Sequence, residues 1–335
     1  MQPKRALIYI LAALLSPPLL ATVAPATTIE IMNTFDFPGA VATLPHKISD
    51  QLDLFGTTIG TDGKLRAFTY KVRIQKFSPR INEPLDTGGI THGQGINSKR
   101  HCCGEYLNAS DSTFHGFLMV SGAMNELTFT PYDVKNALQT MPLGINNFSS
   151  IAGTTVLSNG IQSGFVDIAK KVTTFSVPDA TATFACMINV SNQTVGYYLD
   201  SNGLAHGFLR DGAGVLTYPT DMPGAAETLL LGNNDSNWAV GRFTDAAGVT
   251  HGLFYVTPDN MLTYDYPGAT YTSLNGINAN GLICGHYNDA AGISHGFVAR
   301  VNLTGSGKPN TNGPVTPVKR AYSLPEVPGI VMPAL

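Results

Sequence analysis

The feature that most restricts what this chain can fold into is an internal repeat. The segment LTYDYPGATYTSLNGINANGLICGHYNDAAGISHGFVAR, ending at Arg300, is preceded by two relatives of itself, VLTYPTDMPGAAETLLLGNNDSNWAVGRFTDAAGVTHGLFYV and TTFSVPDATATFACMINVSNQTVGYYLDSNGLAHGFLR. Aligned on the glycine of a G-x-Y/F step, the copies run through Gly56, Gly104, Gly153, Gly196, Gly241 and Gly285; aligned on a later aromatic they run through Phe68, Phe117, Phe165, Phe208, Leu253 and Phe297. Both series step by 43 to 49 residues, so there are six copies. A unit of that size cannot bury its apolar face alone and must stack on its neighbours.

Within one copy, four apolar or alternating runs of five to eight residues are separated by turn chemistry, as in TSLNGIN, GLICGHY, SHGFVAR and the MLTYDYP type that opens the next unit. Each run reads as a strand. The second and third are joined by Asp200 to Gly203, Asp245 to Gly248 or Asp289 to Gly292, where Asp bonds its own backbone and Gly supplies a left-handed residue. Pro-Gly-Ala at Pro38, Pro223 and Pro267 marks a turn between units. Four antiparallel strands about every 45 residues predict an all-β fold, a six-bladed β-propeller. A β-helix takes shorter coils, and a membrane barrel longer strands.

The ends make the same prediction. Fourth-type strands fall around Phe35, Phe77, Phe129, Phe175, Tyr218 and Tyr264. The first, Ile29 to Phe37, precedes any full unit, and the last unit stops on a third-type strand near Val301. The N-terminal strand is therefore expected to complete the sixth blade and close the ring, pairing two edges that would otherwise invite aggregation.

Lys4 and Arg5, the apolar stretch Ala6 to Leu15, Pro17 and Pro18, and the small-residue pair Ala24 and Ala26 read as a signal peptide over residues 1–26. Residues 27–302 are the expected propeller and 303–335 a Pro/Gly-rich flexible tail. No later window holds 18 consecutive apolar residues, so no integral membrane segment is expected once the leader is removed, and the address is secreted, periplasmic or cell-surface. Only 13% of residues are charged, the net charge is −3 and no Lys/Arg run exceeds two, which excludes a nucleic-acid partner. A monomer is expected.

Two clusters invite a chemical reading and are better explained structurally. His115, His206, His251 and His295 of the H-G-F/L step lie on third strands, where ring symmetry holds them apart, and Arg66 and Ser163 replace them in two copies; local hydrogen bonding is expected. His92, His101, Cys102, Cys103 and Glu105 resemble a metal or thiol site, but Cys103 aligns with Phe55, Ala152, Val195, Val240 and Cys284, and Cys102 with Leu54, Ile151, Thr194, Ala239 and Ile283. Cys102 and Cys103 are thus expected as small buried hydrophobes, a vicinal or inter-blade disulfide being the alternative; for Cys186 and Cys284 too the sequence leaves the disulfide state open. No nucleotide loop, nucleophile elbow or metalloprotease motif occurs, acidic residues sit in turns, and no cofactor or metal is expected.

One position diverges among the copies: the residue after the aligned glycine is Thr57, Glu105, Thr154, Tyr197, Arg242 or His286. A ligand-reading position would diverge in this way, and so would a solvent-facing one. Glu105, Tyr197, Arg242 and His286 are therefore candidate ligand-binding residues. The single tryptophan, Trp238, is either a binding platform or an inter-blade filler.

The unit G-I-N-x-x-G-x-I-x-G-x-Y-x-D-x-x-G-x-x-H-G-F, clearest from Gly276 to Phe297, resembles the HAF-type extracellular repeat of bacterial exported proteins. The resemblance spans Phe35 to Val301 and degrades in the first three copies. It implies a secreted or surface propeller-like domain and carries no catalytic residues. The expectation is a non-catalytic binding or scaffold module for an extracellular polysaccharide or protein, the alternative being a propeller hydrolase or lyase acting on polysaccharide.

Overall fold

The computed structural model describes residues 26–121 and 126–305; the expected leader, but for Ala26, and residues 306–335 lie outside them. Apart from one 3-10 turn at Val72–Ile74, every element among the described residues is a strand. Blade one covers 40–77, blade two 91–132, blade three 137–175, blade four 182–217 and blade five 227–264, each a four-stranded antiparallel meander. Blade six supplies three strands from 271 to 305, and its outer strand is the N-terminal Ala26–Phe35, paired antiparallel with Ser294–Gly305 from Thr28 opposite Asn302 to Phe35 opposite Gly296. The molecule is a six-bladed β-propeller.

The repeated residues explain why each blade forms. In the Pro-Gly-Ala turns, Gly39, Gly224 and Gly268 take φ of +71°, +80° and +77°, and the amides of Ala40, Ala225 and Ala269 close onto Phe37, Met222 and Tyr266 carbonyls. Thr43, Thr140, Thr183, Thr228 and Thr272 of the innermost strands accept the first amide of the turn leading into their blade. The aligned glycines are needed for close approach: a Cβ on Gly56, Gly104, Gly153, Gly196, Gly241 or Gly285 would fall on a carbonyl of the innermost strand. Beside several of them lies the fully buried aromatic of the third strand, Phe117, Phe165, Phe208 or Phe297, each contributing about 1.5–3 kcal/mol by burial.

The core is one cluster around the axis plus one at each junction between blades. Blade six meets blade one through Leu282, Cys284 and Val298 against Leu54, Phe68 and Tyr70. A second device ties the junctions on one face. The Asn that ends G-I-N donates from Nδ2 to the carbonyl of its counterpart in the next blade: Asn97 to Asn146 (2.9 Å), Asn146 to Asn189 (2.8 Å), Asn189 to Asn234 (3.2 Å), Asn234 to Asn278 (3.1 Å) and Asn278 to Ser49 (3.0 Å). Each Oδ1 accepts two amides of its own turn. Only at blade one, where Ser49 stands, does this series lack an amide donor.

Local bonding holds the histidines, as expected. His115 bridges Asp133 and Asp111, His206 Asp221 and Asp200, His251 Asp265 and Asp245, and His295 Asp36 and Asp289. Each ring also stacks near Tyr106, Tyr198, Phe243 or Tyr287. Where the repeat departs, the pair departs together: Arg66 forms two hydrogen bonds to Asp62, and Ser163 meets Ser176. The four cysteines are buried free thiols. Burial pushes Cys103, Cys186 and Cys284 up to about 12, which removes them from thiolate chemistry.

Candidate functional site

Two regions collect buried polar groups: the axis, and the cleft between blades four and five. The axial region follows from a bulge. In every innermost strand the register slips by one residue opposite the aligned glycine, and the residue skipped is His46, Gln94, Leu143, Cys186, Leu231 or Asn275. These six surround a small cavity of about 20 Å³, with Lys47 and Tyr197 beside them. That is room for about one water.

The axial wall is unequal. The innermost strands of blades three, four and five contribute Met141, Leu143, Phe184, Leu229 and Leu231, whereas those of blades one, two and six contribute His46, Lys47, His92, Gln94, Ser273 and Asn275. His92 Nδ1 lies 2.6 Å from Glu105 Oε1, which also accepts from Gln94 Nε2 at 3.1 Å. Lys47 Nζ crosses the axis to donate to the carbonyls of Leu231 (2.7 Å) and Asn275 (3.0 Å). Asn275 donates to the Pro45 carbonyl and meets His286 Nδ1 at 2.9 Å, and its Oδ1 accepts from Ser273. Burial, aided by the charges of His92 and Lys47, drives His46 well below its ordinary range, so it is neutral; burial also lowers Lys47. His46 Nε2, His92 Nε2 and Glu105 Oε2 have no partners among the described residues. No group of three or more metal-ligating side chains occurs among the described residues.

The end of the axis on the Asn-ring face is drawn together by Asp50. Its carboxylate accepts from Ser98 Oγ (2.9 Å), Asn147 Nδ2 (3.1 Å) and the Ala279 amide (2.9 Å), three different blades, over a cavity of about 40 Å³.

The divergent position singled out in the sequence lies behind this axial wall. Thr57, Glu105, Thr154, Tyr197, Arg242 and His286 are all buried, each directly opposite an innermost-strand residue: Leu44, His92, Met141, Phe184, Leu229 and Ser273. Several reach the next blade, as Thr57 does to Gly93, Thr154 to Thr183 and Arg242 to Ser273. Tyr197 stacks on Phe184 and His286 on Tyr271. Trp238 is half-buried, edge-on to Phe254 in its own blade and against Gly281 of blade six. The structure therefore groups Glu105, Arg242 and His286 with the axial polar side, and sets Trp238 apart from them.

The second region went unread in the sequence. A cleft of about 180 Å³ lies between blades four and five, lined by Gln193, Thr194, Val195, Leu209, Arg210, Asp211, Thr217, Asn233 and Asn237. Asp211, Thr217 and Asn237 at its rim are exposed to solvent. Inside it, Asn233 Oδ1 is buried without a partner among the described residues; Thr194 Oγ1 and Arg210 Nη1, likewise without one, belong to side chains on the opposite face of blade four, toward blade three. Arg210 is 9% exposed, lies 5.0 Å over the Phe175 ring and makes no side-chain hydrogen bond to a described residue. Burial lowers its affinity for a proton, opposed by the neighbouring Asp211 charge.

Strand register shows how unusual this junction is. Asn233 occupies the place held in the other five blades by Ile48, Ile96, Ile145, Ile188 and Ile277. Thr194 occupies that of Leu54, Cys102, Ile151, Ala239 and Ile283, and Arg210 that of Tyr70, Met119, Asp167, Tyr255 and Ala299. The sequence signal for the cleft was G-N-N in place of G-I-N.

The sequence matches no protein-family model and no curated protein. Solved structures similar to this chain include AofleA from Arthrobotrys oligospora, 8% identical over 84% of this chain and 91% of that one, with a TM-score of 0.51. The six-bladed fucose-recognising lectin of the fungus Aleuria aurantia is 10% identical over 85% and 98%, with a TM-score of 0.45. A gluconolactonase from Xanthomonas campestris is 11% identical over 78% and 89%, at 0.47. At such identities the likeness is one of fold.

Proposed function

We propose that this chain is a non-catalytic binding module that recognises a polysaccharide outside the cell through the cleft between blades four and five. The cleft carries the reading: it is an open cavity beside a buried amide oxygen, Asn233 Oδ1, that has no partner among the described residues, an unmade hydrogen bond that a ligand hydroxyl would supply. A volume of about 180 Å³ suits a single sugar ring, since an engineered cavity of about 150 Å³ admits benzene. The basic and apolar N-terminal residues, Lys4 to Leu15, and the likeness to HAF-type repeats support a secreted, periplasmic or surface address. No helix among the described residues is long and apolar enough to cross a membrane.

The hydrolase or lyase reading requires unlike polar groups around a space that admits substrate. The axial groups are unlike, but they surround room for about one water, behind a mouth bonded across three blades by Asp50.

Glycan-array and polysaccharide pull-down experiments with the full chain test this reading. Retention of a saccharide by the wild type, lost in Asn233→Ile, is expected. Turnover of a polysaccharide, abolished by Glu105→Gln, would replace binding with catalysis.

A further inference from the structure

The two walls of the cleft differ in chemistry. On the face that blade four turns to blade five, Val195 and Leu209 stand directly opposite each other in the strand ladder and make an apolar surface, in one cluster with Ala239 and Tyr255 of blade five. Asn233 lies in the row of Ala239 and Tyr255, on the blade-five face that meets them. Its Nδ2 donates to the Gln193 carbonyl at 3.1 Å, which leaves Oδ1 as a buried acceptor without a donor among the described residues. Nearer the opening, Gln193 Oε1 and Asn237 Oδ1 both accept from Asn189 Nδ2, at 2.9 and 3.1 Å. With their oxygens so engaged, these two side chains offer amide nitrogens as donors. Asp211 adds an exposed carboxylate at the rim, its Oδ1 taken by the amides of Ala213 and Val215.

We infer that the cleft between blades four and five takes an N-acetylated amino sugar, with the acetamido N–H on Asn233 Oδ1, its carbonyl on the amide of Gln193 or Asn237, and its methyl group against Val195 and Leu209. The assignment rests on the binding reading above and specifies the ligand of that same cleft. An acetamido group joins one donor, one acceptor and one apolar end within a few atoms, the three features that these walls present. A hydroxyl also bonds to Asn233 but leaves Val195 and Leu209 facing water, whereas each buried methyl gains about 0.8 kcal/mol. A free ammonium set beside Asn233 would lose several kcal/mol of solvation against one neutral oxygen, and pairing with exposed Asp211 would return about 1 kcal/mol at most. A ligand carboxylate would set its oxygens against Asn233 Oδ1 and the Asp211 charge.

The test is calorimetric titration of the full chain with three β-1,4-linked tetrasaccharides that differ only at C2: the N-acetylglucosamine oligomer, its fully deacetylated form and the glucose oligomer, which carries a hydroxyl there. An array holding N-acetylglucosamine, N-acetylgalactosamine and N-acetylmuramic acid glycans separates chitin, glycoprotein and cell-wall sources of the same group. The acetylated oligomer is expected to bind, the other two about ten- to hundredfold more weakly, with little change as salt rises. Asn233→Ile should weaken binding of the acetylated oligomer, and Leu209→Ser should narrow its advantage over the glucose oligomer. Asn233→Ile installs the residue the other five blades carry, so the blade should fold; Leu209→Ser is checked by its unfolding midpoint. Equal binding of all three oligomers, or preference for the deacetylated one, would overturn the acetamido assignment while leaving a saccharide-binding cleft. Absence of binding to every glycan would overturn both.

Discussion

The axis and the blade-four/five cleft both bury polar side chains in an all-β core, and they do so in opposite ways. Along the axis, Lys47 and Asn275 are bonded across blades, and Gln94 with Glu105 and Ser273 with Asn275 within their own, with room for about one water. In the cleft, Asn233 leaves its Oδ1 unsatisfied beside a cavity of about 180 Å³ that reaches solvent. The axial atoms without partners among the described residues, His46 Nε2, His92 Nε2 and Glu105 Oε2, border room for about one water, whereas Asn233 Oδ1 borders room for a sugar ring. The difference also separates what mutation should do in the two places.

The largest effect is expected on the axis. Glu105→Ala leaves His92 and Gln94 facing an empty, buried acceptor site, and should cost about 3 kcal/mol or more in a denaturant titration, with saccharide retention unchanged under native conditions. If stability holds, the axial groups are not a structural network. Next comes the ring on the Asn face. Asn278→Ala removes the bond to the Ser49 carbonyl and two amide contacts within its turn, for a loss of about 2 kcal/mol by the same measurement. The cleft should respond with the opposite sign: Asn233→Ile, which abolishes ligand retention, should raise stability by about 0.5–1 kcal/mol, the trade expected where a binding site has been cut into a repeat. Destabilisation there would place Asn233 with the structural amides instead.

The smallest effect concerns pH and belongs to neither region. Burial lowers His115, but the hydrogen bond and charge of Asp133, with Asp111, outweigh it and raise the group; His251 is raised by Asp265 first. Groups raised in the fold lend stability that is complete below the unfolded value of 6.5 and is lost as pH climbs through the folded one. Asp200 and Asp289 are lowered chiefly by amides of their own hairpins, and Asp111 by Thr113, so their contribution holds above 3.8 and is lost on acidification. Thermal unfolding should therefore be most resistant between roughly pH 4 and 6.5. His251→Gln should flatten the upper limb. A maximum at pH 8 would contradict the Asp–His–Asp assignment.

Most of the fold could be read in the sequence because the repeat marks backbone needs that side-chain packing cannot override. The six glycines sit where a Cβ would strike the neighbouring strand, and the Pro-Gly-Ala turns require a left-handed residue. The role of the N-terminal strand followed from counting strand types. The axial lining could not be read in the same way, since a bulge in every innermost strand disrupts the period of two and decides which residue faces the axis. Of the two explanations for the divergent position, a solvent-facing one does not fit Glu105, Arg242 and His286, which are buried behind the axial wall. The cleft was visible only as one small break, Asn233 in a column of Ile, which gains meaning once register sets it on the innermost strand of blade five at the junction with blade four.

The most direct test of the account is amide hydrogen exchange of the full chain with and without a retained saccharide. Protection should rise at 193–195, 209–211 and 233–237, the segments that border the cleft, and stay unchanged around His46, His92 and Glu105. Protection appearing at the axial residues while the cleft segments are unaffected would contradict it.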